Sequence, residues 1–453
     1  MSVIQQVLVM LVTLGVLIAF HEFGHFWVAR RCGVKVLRFS IGFGPVLLRY
    51  RDRHGTEYAL SALPLGGYVK MLDERESEQP VDEAERPLAF NNKTVLQRMA
   101  IVSAGPLANF LLAIVVYWLV FMQGTTGLVP RIMTVEEGSP AARSGLTAGL
   151  EIVAVDGEQS RTVRDVAMAL AHRLGDSGHI ELQAVLPGSD VANSYQLAID
   201  SWQAGRDDRI DVLAELGIGF YQPTVAAVVD AVLPGSAAAA AGLLAGDRLL
   251  QADGEPIRDW TQWVDYVRAR PEQRIHVLLE RAGELLPVVL TPQRVRDEGQ
   301  WVGQVGIRVK VPELPPELLR HTDYSLLTAW LPALDNTWQM SVFTLVSLKK
   351  MLLGDISYKQ LSGPISIAKV ATESAYTGLY SYLSLLALLS ISLGVLNLLP
   401  VPVLDGGHLL FYAIEWIKGS PVPERVQMIA YQLGMVLVLS LMALAVVNDL
   451  GRL

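Results

Sequence analysis

The sequence L-V-T-L-G-V-L-I-A-F-H-E-F-G-H, residues 11–25, joins an apolar segment to three ionisable residues. The uncharged segment 1–20 is long enough to cross a bilayer core about 30 Å thick as a helix. On a helix, positions i and i+4 lie on one face, so His21 and His25 can bind one zinc ion with Glu22 beside them as general base. Ionisable groups that continue an apolar span are costly and usually functional. The stretch therefore predicts a zinc-dependent hydrolase site at the end of a membrane helix.

Three further uncharged segments predict membrane helices, at 99–127, 374–404 and 426–448. The composition agrees, with 51% hydrophobic residues, 18% charged residues and a mean hydropathy of +0.35. Four such runs, each bounded by charge, are hard to bury in the core of a soluble protein. The net charge of -8 argues against nucleic acid as a partner, and the single cysteine excludes a disulfide-built domain and a cysteine-based zinc site.

Basic residues near the span ends predict the orientation of the helices. None precedes the first span, and six lie between the first and second spans close to their ends: Arg30, Arg31, Lys35, Arg38, Lys93 and Arg98. The segment 30–98 is therefore predicted to be cytoplasmic and the segment from about 123 to 375 external. A fifth apolar stretch, 326–348, contains Asp335, and an ionisable residue at mid-bilayer is costly. We interpret this stretch as an amphipathic helix on the membrane surface.

The external segment contains an internal repeat. Residues 138–158 and 235–255 are identical at eleven of 21 aligned positions, and each copy ends in an Asp-Gly turn followed by a helical stretch. The alternative is a low-complexity segment rich in alanine and glycine, but such a segment would not place both Asp-Gly turns at the same aligned position. The repeat therefore predicts two tandem modules of about 90 residues. Both modules resemble PDZ domains of the permuted form found in bacterial envelope proteases. The resemblance implies grooves that take peptides by β-augmentation.

A hydrolytic zinc site takes three protein ligands and one water. Of the other six histidines, four lie in the predicted external segment, which leaves His54, His408 and the cytoplasmic-side carboxylates. Asp405 is the strongest candidate, because it ends the third uncharged run on the side of the membrane that carries the H-E-x-x-H motif. Two prolines precede it and two glycines follow it, which allows the backbone to turn the carboxylate inward. His408 is the alternative.

The H-E-F-G-H motif at 21–25, together with N-L-L-P-V-P-V-L-D-G-G at 397–407, resembles the site-2 protease family of intramembrane zinc metalloproteases. The two PDZ-like modules resemble its Gram-negative branch. The resemblance implies a multi-pass α-helical membrane protein with four transmembrane helices and two tandem extracytoplasmic PDZ-like α+β domains. It implies that His21, His25 and Asp405 bind one Zn²⁺ per chain and that Glu22 activates the bound water.

A transmembrane substrate helix must unwind before its peptide bonds can be hydrolysed. Two glycine-rich stretches, residues 40–45 and 63–71, agree with the family pattern and could form hairpin edges that hold the unwound chain, with ordinary turns as the alternative; they contain Gly42, Gly44, Gly66 and Gly67. Asn397 could pair with unwound backbone or only break its helix. Asn109 could help to polarise the attacked carbonyl or only pack beside Gly105.

The resemblance also implies the biological role. The expected substrates are single-span membrane proteins, such as an anti-sigma factor trimmed by another protease, and remnant signal peptides. The PDZ domains would take peptide ligands. The protein would lie in the bacterial inner membrane, in contact with the lipid bilayer, with periplasmic PDZ domains and an active site near the cytoplasmic side. The alternatives are a membrane-tethered PDZ scaffold with a non-catalytic metal site and a zinc transporter, which would need a charged or histidine-rich pathway that the spans lack.

The predicted segments are transmembrane helix 1 at 1–29, a cytoplasmic loop with hairpin-like segments at 30–98, transmembrane helix 2 at 99–122, PDZ-like domains at 127–222 and 223–312, an amphipathic membrane-surface helical region at 313–375, transmembrane helix 3 at 376–404, a cytoplasmic loop at 405–425 and transmembrane helix 4 at 426–448.

Overall fold

The structure is a computed structural model that describes residues 3–75, 81–189, 191–202, 213–221, 225–297, 300–309, 314–358 and 361–451. Two compact units emerge from the contacts among these residues. One is mainly helical and contains residues up to 125 and from 321 to 449, and the other is rich in sheet and lies between them in sequence. The predicted module boundary at 222–223 and the predicted module end at 312 lie outside the described residues.

The described residues form eleven α-helices: α1 Val3–Arg31, α2 Val95–Phe121, α3 Pro140–Arg143, α4 Val163–Ala171, α5 Ala237–Ala240, α6 Trp260–Arg268, α7 Trp330–Leu353, α8 Pro364–Thr377, α9 Leu379–Leu398, α10 Asp405–Lys418 and α11 Glu424–Gly451. They also form eighteen strands: β1 Val36–Arg51, β2 Glu57–Met71, β3 Thr125–Leu128, β4 Ile132–Val135, β5 Glu151–Val155, β6 Glu158–Gln159, β7 Gly178–Val185, β8 Asn193–Ile199, β9 Ile218–Phe220, β10 Val229–Val232, β11 Arg248–Ala252, β12 Glu255–Pro256, β13 Ile275–Arg281, β14 Glu284–Leu290, β15 Gln293–Asp297, β16 Gln300–Gln304, β17 Ile307–Val309 and β18 Leu319–Thr322.

Four of the described helices are long and apolar enough to cross a membrane: α1, α2, α9 and α11. They confirm the number of spans predicted from the uncharged runs. The third is shorter than predicted, since α9 covers 379–398 rather than 376–404. Gly378, with φ of +145°, separates it from α8, and Pro400 follows its end because proline removes a helical hydrogen bond.

The stretch predicted to be a surface helix forms most of α7. Its buried positions Ala333, Thr337 and Met340 follow helical spacing, and Trp330 packs edge-on against Trp118 of α2 with 6.3 Å between ring centroids. Leu331 and Trp338 on the same helix are each 70% exposed. One face of α7 therefore packs on α2, while its exposed positions combine the apolar Leu331 and Trp338 with the charged Asp335; its position on a membrane surface stays a prediction.

The glycine-rich stretches 40–45 and 63–71 lie in β1 and β2, which pair with each other in one antiparallel hairpin, with Ile41 opposite Gly67 and Phe43 opposite Leu63. One local prediction is corrected. The segment 405–425 is not a simple loop, because α10 occupies residues 405–418. Two glycines disfavour a helix by about 1 kcal/mol each. Here tight packing outweighs that cost, since a Cβ at Gly406 would lie 2.1 Å from the carbonyl oxygen of Leu399.

The sheet-rich unit contains two copies of one arrangement. The four-stranded antiparallel sheets have the orders β6-β5-β7-β8 and β12-β11-β13-β14, and a nine-residue helix, α4 or α6, belongs to each copy. The repeated Asp-Gly turns have left-handed backbones at both residues, with φ of +48° at Asp156 and +46° at Asp253. Such turns match the twist of the paired strands. Each copy has its own apolar core, which includes Ile152 in the first and Trp263 in the second.

Candidate metal centre

The two histidines of the H-E-x-x-H motif lie one turn apart on α1 and face the same point. Their Nε2 atoms are 3.3 Å apart, and both side chains are buried. The first residue of α10 meets them, since Oδ2 of Asp405 lies 3.2 Å from Nε2 of His21 and 3.4 Å from Nε2 of His25. Among the described residues, these three form the one group of at least three His, Cys, Asp or Glu side chains arranged to hold a metal ion.

The second ring nitrogen of each histidine is held by α2. Nδ1 of His25 lies 2.9 Å from the carbonyl oxygen of Ile101, and the side-chain amide of Asn109 lies 3.1 Å from Nδ1 of His21. A carbonyl oxygen can only accept, so Nδ1 of a neutral His25 carries the proton and its Nε2 presents a lone pair. The atom of Asn109 nearest to His21 is Nδ2, and the amide has the same effect on His21 once it is rotated to present its unpartnered Oδ1 to Nδ1. Asn109 is fully buried, and it contacts His21 on α1 as well as lying one turn from Gly105 on α2.

The residues present fit a zinc ion. Two imidazole nitrogens and a carboxylate oxygen converge in a buried place, and Oδ2 of Asp405 is buried without a hydrogen-bond partner, which is unfavourable unless a cation neutralises the site. Zinc bonds of 2.0–2.1 Å in tetrahedral geometry place their ligand atoms about 3.3 Å apart. The three measured separations are 3.2, 3.3 and 3.4 Å. The donor set and its spacing therefore match a tetrahedral site with one position left for water.

Helices α1 and α2 pack closely beside the His25 imidazole. A Cβ added at Gly105 of α2 would lie 2.2 Å from Nε2 of His25, and one added at Gly24 would lie 2.2 Å from the carbonyl oxygen of Ala104. These glycines allow α1 and α2 to approach along the face that carries the histidines. The sequence shows both glycines, but it does not show that Gly24 meets Ala104 and that Gly105 meets His25.

The turn before Asp405 is tightly constrained. Val403 adopts φ of +100°, a conformation that is strained for a β-branched residue. A Cβ at Gly407 would lie 2.5 Å from the carbonyl oxygen of Val401, and one at Gly434 of α11 would lie 1.9 Å from that of Pro402. Strained backbone persists only where the surroundings determine it, and it concentrates at functional sites.

A cavity of about 550 Å³ opens beside the three ligand candidates. Glu22 lines it together with His408. Its far wall is charged and includes Lys70, Asp73, Arg75, Arg98 and Glu415. Glu22 thus faces the same space as the convergent ligand atoms, and that space has a polar side that water can occupy.

The other predicted residues occupy different positions. His54 lies exposed at the tip of the β1–β2 hairpin, and His408 lines the cavity but contacts Tyr431, whose hydroxyl lies 3.2 Å from its Nδ1. Gly67 approaches the site, since a Cβ there would lie 2.9 Å from Cγ of Glu22. Asn397 is half-buried near the end of α9 and does not line the cavity.

The remaining three glycines serve the hairpin. Gly42 and Gly44 have left-handed backbones, with φ of +91° and +85°. A Cβ at Gly66 would lie 2.2 Å from the ring of Phe43, which stacks on Tyr68. No sequence pattern predicts the contacts of Ile101 and Tyr431 or the Arg98–Glu415 ion pair, because the partners lie far apart in the sequence.

Two imidazoles and a glutamate on one apolar helix, joined by a distant carboxylate, define the class of this protein as a metallopeptidase carried on membrane-spanning helices. The family model described as peptidase family M50 matches residues 9–441. The chain belongs to peptidase family M50 and is an intramembrane zinc metalloprotease. This confirms the resemblance to site-2 proteases and favours the enzyme over the scaffold and transporter alternatives.

Curated relatives match over nearly their whole length. The chain is 46% identical to the regulator of sigma-E protease RseP of Salmonella typhimurium, over all of both chains. It is 47% identical to the protein of that name from Escherichia coli and 40% identical to a putative zinc metalloprotease of Vibrio cholerae, over 98% of each chain. These names agree with the predicted resemblance to the Gram-negative branch of the family.

Proposed function

We propose that His21, His25 and Asp405 hold one zinc ion and that Glu22 is the general base of a protease that cleaves peptide bonds within or next to single-span transmembrane segments. One observation carries the proposal. Nε2 of His21, Nε2 of His25 and Oδ2 of Asp405 form a triangle with sides of 3.2–3.4 Å. Bound zinc polarises the attacked carbonyl and lowers the pKa of its water toward 7. His408 contacts Tyr431 instead and is not included among the ligands.

The protein groups around the site have distinct tasks. Glu22 takes a proton from the attacking water and passes it to the leaving amine. The carbonyl of Ile101 and the amide of Asn109 fix the tautomers and orientations of the two imidazoles, as outer partners of metal-binding histidines commonly do. Asn109 therefore acts through His21, rather than on the substrate carbonyl.

The β1–β2 hairpin is suited to hold an unwound substrate. Gly67 of β2 packs against the side chain of Glu22, so the strand runs beside the catalytic base. The hairpin has two strands, so each strand has an edge that its partner does not cover. An extended segment added to such an edge gains backbone hydrogen bonds without regard to sequence. Asn397 would pair with backbone released from the substrate helix.

The two sheet-rich modules would act as PDZ-like peptide-binding domains. The first contains a cavity of about 360 Å³ between β9 and α4, lined by apolar side chains that include Val163, Ile218 and Phe220. The segment G-I-G-F, residues 217–220, forms part of its lining. An extended peptide would lie along β9 there by β-augmentation.

The relatives' name supplies the biological setting. We infer that this protein regulates a sigma-E response by cleaving a single-span anti-sigma factor that another protease has trimmed, with remnant signal peptides as a second substrate class. It would lie in the bacterial inner membrane, with the modules in the periplasm and the metal centre toward the cytoplasm. The basic residues that flank the first two spans support this orientation.

The test is cleavage of a purified single-span substrate by the full chain in proteoliposomes. We expect Glu22→Gln to abolish cleavage while zinc stays bound, and we expect a chelator to abolish cleavage in the wild type. Glu424→Gln, at the exposed start of α11, is the matched control and should cleave normally. Unchanged cleavage by Glu22→Gln would refute the assigned role of this residue.

A further inference from the structure

A buried ion pair joins α2 to α10 away from the metal ligands. Nη1 and Nη2 of Arg98 donate to the two carboxylate oxygens of Glu415 at 3.2 and 2.8 Å, and the two side chains are 10% and 16% exposed. The guanidinium also lies over the ring of Tyr412, with 4.8 Å from Cζ to the ring centroid, and its Nε donates to the carbonyl oxygen of Lys93 at 3.2 Å. Bidentate pairing of this kind fixes orientation as well as distance.

The two partners sit on the helices that build the metal centre. Arg98 lies one turn before Ile101, whose carbonyl holds His25, and three turns before Asn109 on the same helix α2. Glu415 lies ten residues after Asp405 on α10, which is about 15 Å along the axis. The pair therefore connects the helix that orients both imidazoles with the helix that begins at the carboxylate.

The first turn of α10 is held mainly through its backbone. It follows the strained Val403, and Gly406 and Gly407 pack closely against the carbonyl oxygens of Leu399 and Val401. Asp405 has no side-chain cap from the residue before it, since Leu404 occupies the cap position. A side-chain contact further along α10 adds a second point of attachment, and Glu415 provides one.

We propose that Arg98 and Glu415 are positioning residues that set the register of α10 against α2, so that Asp405 reaches the two imidazoles. Neither residue touches the ligand atoms. Loss of the pair lets α10 rotate or slide, moves the carboxylate and weakens zinc binding. This inference rests on the proposed function, because it requires that His21, His25 and Asp405 bind zinc.

The experiment measures zinc affinity of the full-length protein in detergent by competition with a chelating dye, together with the visible spectrum of the cobalt-substituted protein. The variants are Glu415→Gln, Arg98→Gln, Arg98→Lys and the exchange Arg98→Glu with Glu415→Arg. Asp247→Asn is the matched control, because it removes a buried ion pair with Arg281 in the sheet-rich unit, where the nitrogen–oxygen distance is 2.7 Å.

We expect Glu415→Gln and Arg98→Gln to weaken zinc binding by about 10-fold or more and to change the cobalt spectrum. The exchange variant should recover much of the affinity, and Asp247→Asn should bind zinc as the wild type does. Affinity indistinguishable from the wild type in both single variants would overturn the inference, and so would an equal loss in Asp247→Asn.

Arg98→Lys covers the case in which the neutral variants do not fold. It keeps the charge but loses the bidentate fork, so we expect weakened zinc binding in a folded protein. Wild-type affinity in Arg98→Lys would then show that the pair only stabilises the fold. A wild-type protein that binds no zinc at this site would refute the proposed function instead, so the two failures are distinguishable.

Discussion

The carbonyl oxygen of Ile101 lies 2.9 Å from Nδ1 of His25, although the two residues are 76 positions apart. This one contact decides which nitrogen of the imidazole can bind a metal. A carbonyl oxygen can only accept a hydrogen bond, so Nδ1 of the neutral ring carries the proton. The Nε2 lone pair is then directed toward His21 and Asp405. The second helix thus selects the metal-binding tautomer of a residue on the first helix.

Alanine substitutions can show whether Asp405 or His408 is the third zinc ligand. We expect Asp405→Ala to lose zinc, because it removes one corner of the ligand triangle, whereas His408→Ala should keep the stoichiometry of the wild type. Metal analysis of the purified variants measures this. If Asp405→Ala kept its full zinc content and His408→Ala lost zinc, His408 would be the ligand and Asp405 would not.

The amide of Asn109 should contribute to zinc affinity without touching the ion. Asn109→Ala leaves Nδ1 of His21 without its partner in a buried site, and loss of such an outer partner weakens metal binding by about 10–100-fold. Dye competition measures the change. Ser392→Ala on α9, which removes only a hydrogen bond to the carbonyl of Leu388, is the control and should bind zinc normally. Equal affinity in Asn109→Ala and Ser392→Ala would contradict the orienting role.

Gly105 should not tolerate a methyl group. Its Cβ would lie 2.2 Å from Nε2 of His25, so Gly105→Ala must displace the imidazole or separate α1 from α2. We expect loss of zinc and of cleavage. Gly15→Ala on α1 is the matched control, because nothing lies within 4 Å of its Cβ and alanine favours the helix. A zinc-bound, active Gly105→Ala protein would show that the two helices approach less closely than described.

The sheet-rich unit should lose stability in acid through Asp247. Burial raises the pKa of its carboxyl, but hydrogen bonds from Arg281 and the Leu244 N–H outweigh burial, and the pKa lies below its usual value. A lowered pKa in the folded state stabilises the fold above the unfolded-state pKa, about 3.9, and this stabilisation is lost as pH falls through the folded-state pKa.

Thermal unfolding of the full chain checks this prediction. The stability difference between the wild type and Asp247→Asn should be constant above about pH 5 and should shrink below about pH 4. Arg281→Gln should show a weaker pH dependence than the wild type, because the carboxyl then keeps a pKa nearer its ordinary value. A difference that stays constant down to pH 3 would contradict the assigned partner.

The sequence by itself determined the four spans and the metal-binding pair on the first of them. Both are local properties: an uncharged run needs no partner to be recognised, and helical spacing alone brings His21 and His25 to one face. Span counting excluded the four histidines of the external segment, and Asp405 ranked above His54 and His408 because it ends an uncharged run between two prolines and two glycines. Its meeting with the imidazoles needed the fold.

Only the tertiary structure decided how the centre is held. Ile101 and His25, Asn109 and His21, and Arg98 and Glu415 are 76, 88 and 317 positions apart, and no periodic pattern links such partners. The same is true of α10, where packing of Gly406 against the preceding turn overrides the weak helix preference of two glycines. Composition fixes which segments are apolar, whereas the pairing of their faces depends on close packing between helices that are distant in the chain.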